Sequence, residues 1–108
     1  MTVNKINAAL ELGFDVPALP GMAIRDIQTP CLILDMDSFD YNLRRMAEVI
    51  TPYNIFLRAH AKMHKSVDVA RQQLTHGEAS GICCQKVSEA EVFARAGILD
   101  ILITNQVC

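Results

Sequence analysis

The run FLRAHAKMHK (56–65) sets two lysines, two histidines and an arginine into a segment that opens like a buried strand. Side chains alternate along a strand. With 55–62 extended, Ile55, Leu57, Ala59 and Ala61 share one face, and Phe56, Arg58, His60 and Lys62 share the other. The first face is small and apolar, suited to packing under helices. The second turns cationic toward its C-terminal end, where Lys62 stands with His60 and Arg58 behind it. Parallel α/β proteins bind ligands at the C-terminal ends of their strands. Neighbouring cations disfavour another ammonium, and a neutral amine is a nucleophile toward aldehydes, the starting point for a Schiff base. An edge strand blunted by charge is the competing explanation. It accounts for a lysine more readily than for Arg58 and His60 inside the strand. Lys65 lies past the strand, near a helix start, and Lys86 follows a later strand, where a solvated loop residue is expected.

The elements that must position Lys62 are marked by the residues around it. Ser66 can cap a helix over SVDVARQQLTH, and Gly77 ends it. GICCQ (81–85) reads as a short buried strand. Ser88 and Glu91 have the S-x-x-E spacing of a capping box for SEAEVFARAG, which Gly97 stops. DILITNQ (100–106) is a third strand. Short apolar strands alternating with helices of about ten residues mean βαβ units and a parallel sheet, both of whose faces need cover. Upstream, TPCLILDMD reads as a leading strand, with Cys31, Ile33 and Asp35 on one face and Leu32, Leu34 and Met36 on the other. Asp37 or Ser38 can cap the helix SFDYNLRRMAEVI, in which Phe39, Leu43, Met46 and Ile50 recur at helical spacing. Residues 1–28 are the least regular part, and VPALPGM (16–22) reads as an extended connector. The chain therefore divides into an N-terminal extension, 1–28, and an α/β portion, 29–108.

With 108 residues, 51% of them hydrophobic, the chain has the length and composition to bury the core of one small domain. A net charge of −2 gives no reason to expect nucleic acid or an anionic membrane as partner. No apolar run reaches the roughly 18 residues of a membrane-spanning helix. The start, MTVNKINAALELGFD, lacks the continuous apolar stretch of a secretory signal, which leaves the cytoplasm as the expected location. Cys31, Cys83, Cys84 and Cys108 make no C-x-x-C pair. Cys83 and Cys84 are adjacent on a strand and point to opposite faces, so buried reduced thiols are expected.

The segments TPCLILDMDSFDYNLRRM, LRAHAKMHKSVDVA and GICCQKVSEAEVFARAGILDILITNQV resemble the N-terminal third of the D-threonine aldolase and D-serine dehydratase family. VPALPGM, IQTPCLILD and HAKMHKSVDV are most similar to its 3-hydroxy-D-aspartate aldolase branch, and the likeness covers nearly all of residues 14–107. The resemblance implies a fold-type III pyridoxal-phosphate enzyme with an alanine-racemase-like (β/α)₈ TIM barrel, of which this chain carries about three strands behind a leading strand and helix. It implies that Lys62 carries the cofactor as a Schiff base, that Gln85 contacts the cofactor, and that His60 and Arg58 lie near its ring. Ala59 stands where many relatives have proline, on the face turned away from the site. The implied reaction cleaves a D-3-hydroxy amino acid. 3-Hydroxy-D-aspartate would yield glycine and glyoxylate, and D-threonine would yield glycine and acetaldehyde. The family also uses a divalent metal such as Mg or Mn, held by a C-terminal β-domain absent from this chain. His64 and His76 are accordingly expected to be structural or exposed rather than ligands. The full-length protein is expected to be a homodimer with a small-molecule substrate.

A complete barrel needs roughly 250 residues. The resemblance implies that the phosphate-binding loops, the metal site and the second domain lie outside these 108 residues. The isolated chain is expected to be inactive and to expose apolar surface and unpaired strand edges. Three other readings remain open: a D-serine or D-3-hydroxyaspartate dehydratase, a non-catalytic barrel that carries pyridoxal phosphate, and a small α/β interaction domain with a charged edge.

Overall fold

The computed structural model describes residues 10–107, and these divide into two compact units between Leu34 and Asp35. The sequence-based division at 28/29 falls inside the first unit, and Cys108 lies outside the described residues. In the first unit a tight turn joins Leu12 to Val16, and the Gly13 N–H donates to the Val16 carbonyl at 2.9 Å. Gly13 has φ +90°, a conformation that suits glycine. The Gln28 N–H donates to the Pro17 carbonyl at 3.0 Å and ties the connector to the segment after it.

The second unit begins with helix α1, Met36–Ile50. Its cap is Asp35, whose carboxylate accepts the Ser38 N–H at 2.7 Å. This corrects the expected cap at Asp37 or Ser38. The helix starts earlier, which leaves Asp37 in the first turn, where an acid complements the helix dipole. Phe39, Leu43 and Ile50 are half-buried, but Met46 is 46% exposed and Ala47 takes its place on the inner stripe. The expected strand over TPCLILDMD does not form. No described strand pairs with it, and without a ladder the segment runs irregularly with Leu32, Ile33 and Leu34 exposed.

Three strands follow, β1 Arg58–His60, β2 Gly81–Cys84 and β3 Ile101–Ile103. They are parallel, in the order β1-β2-β3. Helix α2, Val67–Thr75, joins β1 to β2, and helix α3, Val87–Arg95, joins β2 to β3. Ser66 caps α2 as expected, its hydroxyl accepting the Val69 N–H at 3.3 Å. Gly97 follows α3 at φ +87°. The expected capping box of Ser88 and Glu91 is displaced by two residues. The helix starts at Val87, Glu89 reaches back to the Lys86 N–H, and Glu91 pairs instead with Arg95 one turn on.

Strand alternation sorts the residues as the sequence demands. Ala61, Ile82 and Cys84 face the helices and join Ala70, Phe93 and Ile98 in the core, with Val67, Leu74, Ala90 and Ile101 packed around them. Cys83 points the other way, and Cys31, Cys83 and Cys84 are all free thiols. Burial pushes the Cys84 thiol above its ordinary range. Among the described residues no helix is long and apolar enough to cross a membrane.

Candidate functional site

The β1 ladder is bounded by two hydrogen bonds. The Ser80 N–H donates to the Leu57 carbonyl at 2.9 Å, and the Ala61 N–H donates to the Cys83 carbonyl at 2.8 Å. Lys62 is the first residue past that ladder. The expected strand 55–62 is therefore shorter at both ends. Ile55 and Phe56 are exposed, and the chain turns over Ala61–His64, where Lys62 is exposed and pairs with no acid among the described residues. The turn is closed by the Lys65 N–H, which donates to the Ala61 carbonyl at 2.9 Å.

Register fixes how β1 meets β2. Arg58 pairs with Gly81, Ala59 with Ile82 and His60 with Cys83. Lys62 follows the C-terminal end of β1 and Gln85 that of β2, its parallel neighbour in the sheet. Gln85 is half-buried. His60 lies on the strand face opposite the core, and its Nδ1 accepts the Lys62 N–H at 3.3 Å. In a neutral ring this leaves the proton on Nε2 as a donor.

Arg58 stands at the other end. Its guanidinium meets the Asp100 carboxylate in two bonds, 2.6 and 2.9 Å, across Gly81. Arg58 is four residues upstream of Lys62, about 13 Å along an extended chain. The Asp100 hydrogen bonds also raise the Arg58 pKa, holding the charge in place. A groove of about 440 Å³ beside β1 is lined in part by Arg58 and His60 with Leu43 and Met46; Lys62 and Gln85 are not among its lining residues.

Two further residues were not singled out in the sequence. Glu89 accepts the Gln85 N–H at 3.0 Å and the Lys86 N–H at 3.4 Å through one carboxylate oxygen. Its other oxygen lies 3.5 Å from Lys65 Nζ. The backbone bond from Gln85, then that from Lys86 and the charge of Lys65, hold its carboxyl below the usual range against an opposing desolvation. The available signal was an acid three residues past the helix cap; placing the cap at Ser88 hid it. Asp100 was legible only as a charge opening an apolar strand. His64 is half-buried edge-on to Phe93, with centroids 6.4 Å apart, and its Nδ1 accepts the Ser66 N–H at 3.1 Å. His76 is exposed.

No family model matches the chain. Individual proteins do. The chain is 56% identical over 97 residues to the 3-hydroxy-D-aspartate aldolase of Paracoccus denitrificans (strain Pd 1222), a match covering 90% of this chain and 25% of that protein. It is 41% identical over 76 residues to the D-threo-3-hydroxyaspartate dehydratase of Delftia sp. (strain HT23), covering 70% of this chain and 20% of that protein. The crystal structure of D-threonine aldolase from Filomicrobium marinum superposes with a TM-score of 0.82 at 48% identity, over 86% of this chain and 25% of that one. The chain thus spans about a quarter of the length of the relatives it matches most fully. Over the quarter that it spans, the chain is similar in sequence and in fold to 3-hydroxy-D-aspartate aldolase and D-threonine aldolase.

Proposed function

We propose that the chain is the N-terminal part of a pyridoxal-phosphate-dependent carbon–carbon lyase that cleaves a D-3-hydroxy amino acid, with Lys62 as the residue that bears the cofactor. The observation that carries this is the placement of Lys62, one residue past the β1 ladder, beside the neighbouring strand β2 whose C-terminal end is followed by Gln85. The residues present fit the group. The Lys62 amine is exposed and unpaired among the described residues, at the strand end where α/β proteins bind ligands. Pyridoxal phosphate, when bound, supplies an electron-poor ring that takes up the electron pair released at Cα.

The chain's own contribution is positional. Lys62 offers the attachment amine. Gln85 stands beside it as a neutral polar contact. His60, its Nδ1 accepting the Lys62 N–H, keeps Nε2–H as a donor in its neutral form. Arg58, locked to Asp100, carries a fixed charge at the far end of the same strand face and steadies β1 against β3. Among the described residues no group of three His, Cys, Asp or Glu side chains could hold a metal ion, so no step is assigned to the family's divalent cation.

Similarity to the Delftia dehydratase supports a second reading, elimination of water from the same substrate class. Products separate the two. The full-length protein, loaded with pyridoxal phosphate and a divalent cation, is expected to convert D-threo-3-hydroxyaspartate to glycine and glyoxylate, or D-threonine to glycine and acetaldehyde. Ammonia and a 2-oxo acid without glycine would favour the dehydratase and overturn the lyase.

A further inference from the structure

The candidate cofactor residues stand on two neighbouring loops, Lys62 after β1 and Gln85 after β2. Loops at strand ends are the mobile part of an α/β fold, whereas covalent and hydrogen-bonded capture of one ligand from two loops demands that both be held in register. A single carboxylate spans them. One oxygen of Glu89 takes the Gln85 and Lys86 N–H groups, and the other faces Lys65 Nζ at 3.5 Å. The Glu89 side chain is only 11% exposed. It lines a hollow of about 140 Å³ together with Lys65 and Phe93, so the bridge stands against the packed core of the unit.

The Lys65 backbone shows the same constraint. Its φ is +50°, the left-handed region that non-glycine residues rarely occupy. Such a conformation persists where its surroundings over-determine it. Here the backbone N–H is taken by the Ala61 carbonyl and the side chain reaches Glu89. Lys62 lies inside the turn that the first of these contacts closes.

We infer that Glu89 is a positioning residue for the Lys62 site. Through Lys65 on one side and the Gln85 N–H on the other, it ties the two cofactor-bearing loops to each other. The inference rests on the proposal that Lys62 carries pyridoxal phosphate. An ordinary helix cap would need only the backbone contacts of Glu89. The link to Lys65 is what a cap does not require.

The test uses the full-length holoenzyme and measures the rate at which pyridoxal phosphate is lost after dilution, beside the melting temperature of the cofactor-free protein. Lys65→Met keeps the aliphatic stem and removes the charge at an exposed position. Glu89→Gln keeps an oxygen to accept the backbone N–H groups. Each is expected to speed cofactor loss about threefold, the size set by a partly exposed ion pair. The double variant should be no faster than the faster single variant, and Lys65→Met should leave the melting temperature unchanged. Arg95→Met, which removes the surface pair with Glu91 on the same helix, should change nothing. Cofactor retention in Lys65→Met equal to the parent, or effects of the two single variants that simply add, would overturn the tether. A borohydride-stable adduct persisting in Lys62→Ala would overturn the assignment of Lys62, and the tether's purpose with it.

Discussion

Lys62 and Lys65 are three residues apart in one turn, yet their surroundings divide the labour between them. Lys65 is held by Glu89, and Lys62 is left without an acid among the described residues. An amine that must attack an aldehyde gains nothing from an ion pair that stabilises its ammonium form. His64, between them, packs edge-on to Phe93 of α3. Burial lowers its pKa from the ordinary 6.5, partly offset by Gln73 and the Ser66 backbone. A histidine whose folded-state pKa is depressed stabilises the fold fully above the unfolded value and less as pH falls through the folded one. The melting temperature should therefore begin to drop as pH is lowered below about 6.5. The variant His64→Asn keeps an acceptor for the Ser66 N–H, removes the titrating ring and should abolish that step. Parallel pH profiles for the two proteins would refute this. The carboxylates Asp35 and Glu89, whose pKa values are also lowered, act in the more acid carboxylate range and do not confuse the reading.

At the scale of elements, local signals worked where one residue had one role. Ser66 caps α2 and Gly97 follows α3, because a hydroxyl before an apolar stripe and a glycine in the left-handed region have few competing uses. The starts of α1 and α3 are shifted because each cap region holds several candidates. Asp35, Asp37 and Ser38 compete at one, where Asp35 caps, and Lys86, Ser88, Glu89 and Glu91 at the other, where the helix starts after Lys86. The leading strand does not form because alternation describes a strand only when something pairs with it. Gly81 was invisible as a spacer. An added Cβ there would meet the Arg58 guanidinium, and would lie 2.7 Å from the Asp100 carbonyl oxygen and 2.9 Å from its carboxyl carbon. Gly81→Ala must push backbone or break the ion pair, and should destabilise the protein by about 1–3 kcal/mol. Denaturant melts measure it, and a change near zero would show that the pair across β2 yields freely.

For the whole molecule, the parallel sheet and its helix-covered face were legible from the strand–helix alternation, and the likeness to D-threonine aldolase agrees. The surroundings of the site were less legible, because they depend on register across strands far apart in sequence, as the Arg58–Asp100 and Lys65–Glu89 pairs show. On its outer side β3 pairs with no described strand, and Leu99 beside it is 91% exposed. An apolar edge of this kind is stabilised by cover, in keeping with a chain that spans a quarter of its relatives.

The central claim is that Lys62 bears the cofactor. Borohydride reduction of the full-length protein loaded with pyridoxal phosphate, followed by peptide mass mapping, tests it most directly. The account predicts a single phosphopyridoxyl group on Lys62, lost in Lys62→Ala. A label on Lys65 or Lys86 with Lys62 unmodified would contradict it.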